Sequence, residues 1–136
     1  MCKIFVHDFY FEDSNIENKE GETDFCCSLN VYYNFSAEDP GDGWDALEYF
    51  NITVATPFGL AKFLDKCIRK GIFSNTFFYP HLLIVDKYDK EQIIGFIRNE
   101  LQSLNGKSER ELILKAIRKF DWENENIPEI YNRIFV

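Results

Sequence analysis

A chain of 136 residues with 46% apolar and 17% aromatic side chains is the size of one domain with ample material for a core, which excludes bulk disorder. Its net charge of −8 argues against nucleic acid and anionic membrane surfaces as partners, because phosphate binding needs clustered Lys and Arg. The charge is also uneven: residues 8–48 hold twelve Asp and Glu against a single Lys, Lys19, so a cationic partner fits that segment.

In chain order, residues 3–11 are rich in β-branched and aromatic side chains and predict a first strand. Glu12 to Asp24 is polar, with Asp13, Ser14, Asn15, Asn18 and Gly21 as turn formers, and reads as a long solvated loop. From Phe25 the alternation is clean: Phe25, Cys27, Leu29, Val31, Tyr33 and Phe35 share one face, while Cys26, Ser28, Asn30 and Asn34 share the other. Glu38 to Trp44 is a turn cluster. Beyond it Phe50, Ile52 and Val54 alternate with Asn51, Thr53 and Ala55 in a third strand, antiparallel to the second.

Thr56-Pro57 starts a helix, with a hydroxyl at the N-cap and Pro where its missing N–H costs nothing. Leu60, Phe63, Leu64, Cys67 and Ile68 form its apolar stripe, and Gly71 ends it. The apolar run at 81–85 predicts a central strand. Asp89 with Gln92, and Ser108 with Glu111, are capping boxes that open helices over 90–104 and 109–120. A last short helix over 128–136 follows from the spacing of Ile127, Ile130, Tyr131 and Ile134.

The order β-β-β-α-β-α-α predicts an α+β domain, residues 1–136, with a four-stranded, mainly antiparallel sheet and its helices on one face. The other face, with Ser28, Asn30, Asn34, Asn51 and Thr53, is then left to water or to a partner.

Two histidines, His7 and His81, lie in candidate strands outside any metal or catalytic motif, and no nucleotide or nucleophile fingerprint occurs. No cofactor and no catalytic residue is therefore expected. Asp39, Asp42 and Asp45 lack the spacing of a calcium loop, so no metal is expected there. Cys27 and Cys67 sit on apolar faces and are read as buried, inert thiols; with adjacent Cys26 and Cys27 and no leader-like start, cytoplasm is the expected compartment. The candidate partner-binding residues are Glu38, Asp39, Asp42, Asp45 and Glu48 for electrostatic steering, with Trp44 as the aromatic anchor. Trp122 is assigned to the core.

The stretch Asp42 to Pro57, a glycine-bearing turn running into Phe-x-Ile-x-Val-x-Thr-Pro, resembles the immunity protein 8 family of bacterial polymorphic toxin systems. His81 to Asp89 and the Asp121-Trp122-Glu123 triplet extend the resemblance over residues 25–123. It implies a cytosolic, non-enzymatic protein that binds and blocks the toxic C-terminal domain of a cognate effector, many of which are basic nucleases. The competing reading is a regulatory domain sensing a small molecule, which has no need of so acidic a segment.

Overall fold

The computed structural model describes residues 2–36, 48–74 and 76–136. Three antiparallel strands open the chain: β1 (Lys3–Phe11), β2 (Cys26–Ser36) and β3 (Glu48–Ala55). Helix α1 (Pro57–Arg69) crosses to β4 (Leu82–Ile84), which pairs in parallel with β3, as a strand–helix–strand unit requires. Then come α2 (Lys90–Gln102), α3 (Glu109–Ala116), the two-residue β5 (Asp121–Trp122), antiparallel to β3, and α4 (Pro128–Phe135). The α+β class, the mainly antiparallel sheet and the order of strands and helices match the sequence reading.

The alternating residues Phe25, Cys27, Leu29, Val31 and Tyr33 of the second strand region are all buried, as are Phe50, Ile52 and Val54 of β3. Helix α2 lays Ile93, Ile97 and Leu101 on this face, and α3 adds Leu112, Ile113 and Ala116 to the same core. The caps hold as the sequence predicts: Asp89 Oδ1 accepts the Gln92 N–H and Ser108 Oγ accepts the Glu111 N–H, each at 3.2 Å. The Glu111 carboxylate closes its box one residue early, accepting the Lys107 N–H at 3.0 Å.

Three details differ from the sequence reading. Helix α1 does not share the face of α2 and α3. Its buried Cys67 lies against Cys26, on the side of β2 opposite Cys27, and Tyr79 of the following segment contacts Thr53 Oγ1 at 3.3 Å, so the crossover covers one end of the outer face. Second, β4 is an edge strand, since the sheet runs β1-β2-β3-β4. Leu83 and Val85 pack on the core while Ile84 is 48% exposed, so only one side of the apolar run is buried. Third, α3 stops at Ala116 because the chain must turn there to insert Phe120 into the core and to pair Trp122 with Phe50.

Strand β1 contains an irregularity that positions the outer face. Val6 pairs with Tyr33 and Asp8 with Tyr32, so His7 is an extra residue in a bulge. Ile4 and Val6 are inward before it, Phe11 after it, so the inward parity changes at the bulge. The consequence is that Asp8 and Tyr10 face outward, opposite Tyr32 and Asn30 of β2.

Candidate functional site

The outer face of β1–β3, where α1 leaves it uncovered, gathers polar and aromatic side chains in a continuous array. Asn51 of β3 donates both amide hydrogens, one to Ser28 Oγ at 2.8 Å and one to Asn30 Oδ1 at 2.7 Å. Asn30, only 7% exposed, donates in turn to Glu12 Oε1 at 3.4 Å. This ladder runs from β3 across β2 to Glu12, one residue past β1, and satisfies both amide hydrogens of Asn51, so the face is held without being apolar.

Next to the ladder, Tyr32 and Tyr49 occupy directly paired positions, their rings tilted with centroids 5.4 Å apart. Tyr10, on β1, is 58% exposed. Carboxylates surround these rings: Asp8 pairs with Tyr32, Asp121 with Asn51, and Glu123 Oε1 accepts the Tyr49 backbone N–H at 2.8 Å. Burial, and then the Glu123 carboxylate, push the Tyr49 hydroxyl above its usual pKa. Burial also pushes the Glu123 carboxyl up, the Tyr49 N–H pulls it back, and Glu48 adds repulsion. The field on this face is therefore negative.

Beyond the end of β1 the array continues into a cleft of about 630 Å³ lined by Tyr10, Glu12, Asp13, Glu17, Tyr88 and Lys90 among others. The loop that forms its wall was expected to be solvated, and most of its side chains are exposed. It is nonetheless pinned: the Gly21 N–H donates to the Tyr88 carbonyl at 2.7 Å and the Tyr88 N–H to the Glu22 carbonyl at 2.8 Å. Beneath it Tyr88 packs edge-on to Phe11 and against Phe25. Burial, followed by Glu20, pushes the Tyr88 hydroxyl up to about 12.

Of the sequence-derived candidates, Glu38, Asp39, Asp42, Trp44 and Asp45 lie outside the described residues. Glu48 is described, and it stands opposite Tyr33 on the inward side. It accepts a hydrogen bond from the Tyr33 hydroxyl at 3.3 Å and pairs with Arg133 of α4 at 3.5 Å. The tyrosines and Glu123 were missed by sequence reasoning. The signal for them is the period-2 pattern itself, which sets Tyr32 and Tyr49 on the polar face once Tyr33 and Phe50 are inward.

His7 sits in the β1 bulge and His81 precedes β4 with a φ of 57°, and the described residues contain no cluster of three or more metal-ligating side chains. Cys27 and Cys67 are buried, as expected, and burial pushes the thiols of Cys26 and Cys27 up to about 11 and 12, so both stay protonated near neutral pH.

The immunity protein 8 family model, Imm8, matches residues 17–127, most of the chain. The chain belongs to the immunity protein 8 family. The match begins in the loop that walls the acidic cleft and ends after β5, so it spans β2, β3 and β5 of the outer face, while β1, with Asp8 and Tyr10, and the adjoining Glu12 lie before it. No curated protein and no solved structure matches the chain. Among the described residues, no helix is long and apolar enough to cross a membrane.

Proposed function

We propose that this protein is an immunity protein that neutralises a cognate, basic bacterial toxin domain by binding it and covering its active site or the surface beside it. The observation that carries the reading is the family membership together with the charge distribution: a net −8 chain whose residues 8–48 hold twelve carboxylates against one lysine. Such a surface meets a basic enzyme with complementary potential, which speeds encounter and disfavours other partners. Neutralisation here is by occupancy rather than by chemistry, and it takes place in the cytoplasm of the producing cell, where the toxin's targets lie. A toxin that is a nuclease suits the reading, because a surface built to hold nucleic acid is itself cationic.

The test is protection. Cells induced to express the toxic C-terminal domain encoded beside this chain's gene are expected to survive when the chain is co-expressed, and the two purified proteins to form a stable complex. Continued killing at saturating levels of this protein, with no complex formed, overturns the proposal. Binding of a small metabolite with no effect on the toxin favours the regulatory-domain reading instead.

A further inference from the structure

The outer sheet face has the composition of a protein-binding surface whose partner is cationic. On the outward positions of β1, β2 and β3, Lys3 at one corner is the one Lys or Arg among the described residues, whereas Asp8 and the ladder's Glu12, with Asp121 and Glu123 beside β3, supply carboxylates. Between the carboxylates stand the paired rings of Tyr32 and Tyr49 and the exposed ring of Tyr10. Tyrosine gives a large contact area with few rotamers to freeze, and its ring face attracts guanidinium and ammonium groups, most strongly where water is excluded. The Ser28–Asn51–Asn30–Glu12 ladder fixes the floor before any partner arrives, so little ordering cost remains to be met on binding.

Connectivity adds to this. The paired Tyr32 and Tyr49 lie near the end of the β2–β3 ladder that carries Asp8 opposite Tyr32, away from Cys26 and Ala55 at its other end. The covered end of the face, at Cys26 and Thr53, is closed by α1 and Tyr79, so the open part coincides with the acidic part. The cleft that continues it is walled by Glu12, Asp13 and Glu17, and the charge of the face repels a phosphate backbone.

We infer that the face formed by Tyr10, Tyr32, Tyr49, Asp8, Glu12 and Glu123 is where the protein docks its partner, receiving Arg and Lys side chains of a cationic toxin domain on the tyrosine rings between the carboxylates. This rests on the neutralisation reading and specifies the surface that performs it. It differs from the sequence-derived binding mode confined to residues 38–48, because it places the energetic centre on the sheet.

The experiment uses the full chain and the toxic domain encoded by the neighbouring gene. With tyrosine ring carbons labelled, titration is expected to shift the signals of Tyr10, Tyr32 and Tyr49 and to leave that of Tyr33, about 1% exposed and on the inward side, in place. The double variant Tyr32→Ala, Tyr49→Ala should lose roughly thirtyfold or more in affinity, as truncation of central aromatic anchors does. Phe96→Ala, an exposed residue on α2, should stay within about twofold. A complex that forms without moving those three ring signals overturns the inference and leaves neutralisation intact, as does a folded double variant that binds like wild type. If the double variant does not fold, the ring signals of the wild-type protein decide alone. If the wild-type chain binds no toxin at all, the neutralisation reading fails first.

Discussion

At the scale of single residues, Thr56 joins the helical and sheet halves of the fold. Its Oγ1 accepts the Gly59 N–H at 3.0 Å as a helix cap, accepts the Phe25 N–H at 3.1 Å, and donates to the Thr23 carbonyl at 2.5 Å. The cap was legible in the Thr-Pro pair, because N-capping is a local rule. The bonds to Thr23 and Phe25 were not, since they join residues more than thirty positions apart. Thr56→Val keeps the shape and removes the oxygen, so it loses a cap worth about 1 kcal/mol and strands the buried Phe25 N–H at a cost of about 1–3 kcal/mol. The expected loss is about 2–4 kcal/mol in urea unfolding, with Thr56→Ser recovering most of it. Gly59, one turn on, tolerates no side chain, because a Cβ there would fall 2.2 Å from the Phe25 carbonyl oxygen. Gly59→Ala should therefore destabilise by at least as much, whereas equal midpoints for Thr56→Val, Gly59→Ala and wild type would show that this junction contributes little.

At the scale of elements, β1 to β4 and the first two helices followed from period and caps, and observed bounds agree within a few residues, as at Lys3–Phe11, Pro57–Arg69 and Lys90–Gln102, whereas the two-residue β5 was not foreseen. What the sequence did not disclose were the features set by long-range geometry. The side of the sheet taken by α1 depends on the crossover, and the end of α3 depends on where Phe120 and Trp122 must go. The β1 bulge sits between an even-numbered and an odd-numbered inward set, but Phe5 and Tyr10 on the opposite side blur the alternation, so periodicity alone left it hidden. Trp122 was correctly assigned to the core, and the structure gives its role. Its Nε1 donates to the Tyr33 hydroxyl at 2.9 Å, while that hydroxyl donates to Glu48 and Glu48 pairs with Arg133 of α4. Burial, with Glu48 next, holds the Tyr33 hydroxyl far above the ordinary tyrosine pKa, so it remains a donor at any physiological pH. Trp122→Phe keeps an aromatic ring against Tyr131 and Phe135 but deletes the donor and leaves a small void. A loss of about 1–3 kcal/mol is expected by denaturant titration. A wild-type midpoint for the variant would assign the Tyr33–Trp122 bond no net contribution.

At the scale of the whole molecule, the negative charge of the 8–48 segment bears on binding at two places, the outer sheet face with Asp8 and Glu12 and the acidic residues between 38 and 45, which lie outside the described residues; Asp13, Glu17, Glu20, Glu22 and Asp24 belong to the loop after β1, and Glu48 faces inward. The total was legible from composition, but its division was not, because the sheet face is assembled from strands remote in sequence and from Glu123 beyond α3. The two places should act differently in binding. Carboxylates outside the contact, the role given to Asp42 and Asp45 by the sequence reading, steer diffusional encounter, an effect that extends about a Debye length, roughly 8 Å at physiological salt, and fades as salt rises. Aromatic anchors act once contact is made, by resisting dissociation. The combined Asp42→Asn, Asp45→Asn variant is therefore expected to slow association with the toxic domain severalfold at low salt and to converge on wild type at high salt, with dissociation unchanged. Trp44→Ala should leave association alone and speed dissociation if the turn carries an anchor of its own, by roughly thirtyfold for a truncation above about 2 kcal/mol. Stopped-flow traces at two ionic strengths separate the two effects. Wild-type rates for both turn variants, with the tyrosine pair still needed for affinity, would place the interface on the sheet face alone and reduce residues 38–48 to a solvated connection.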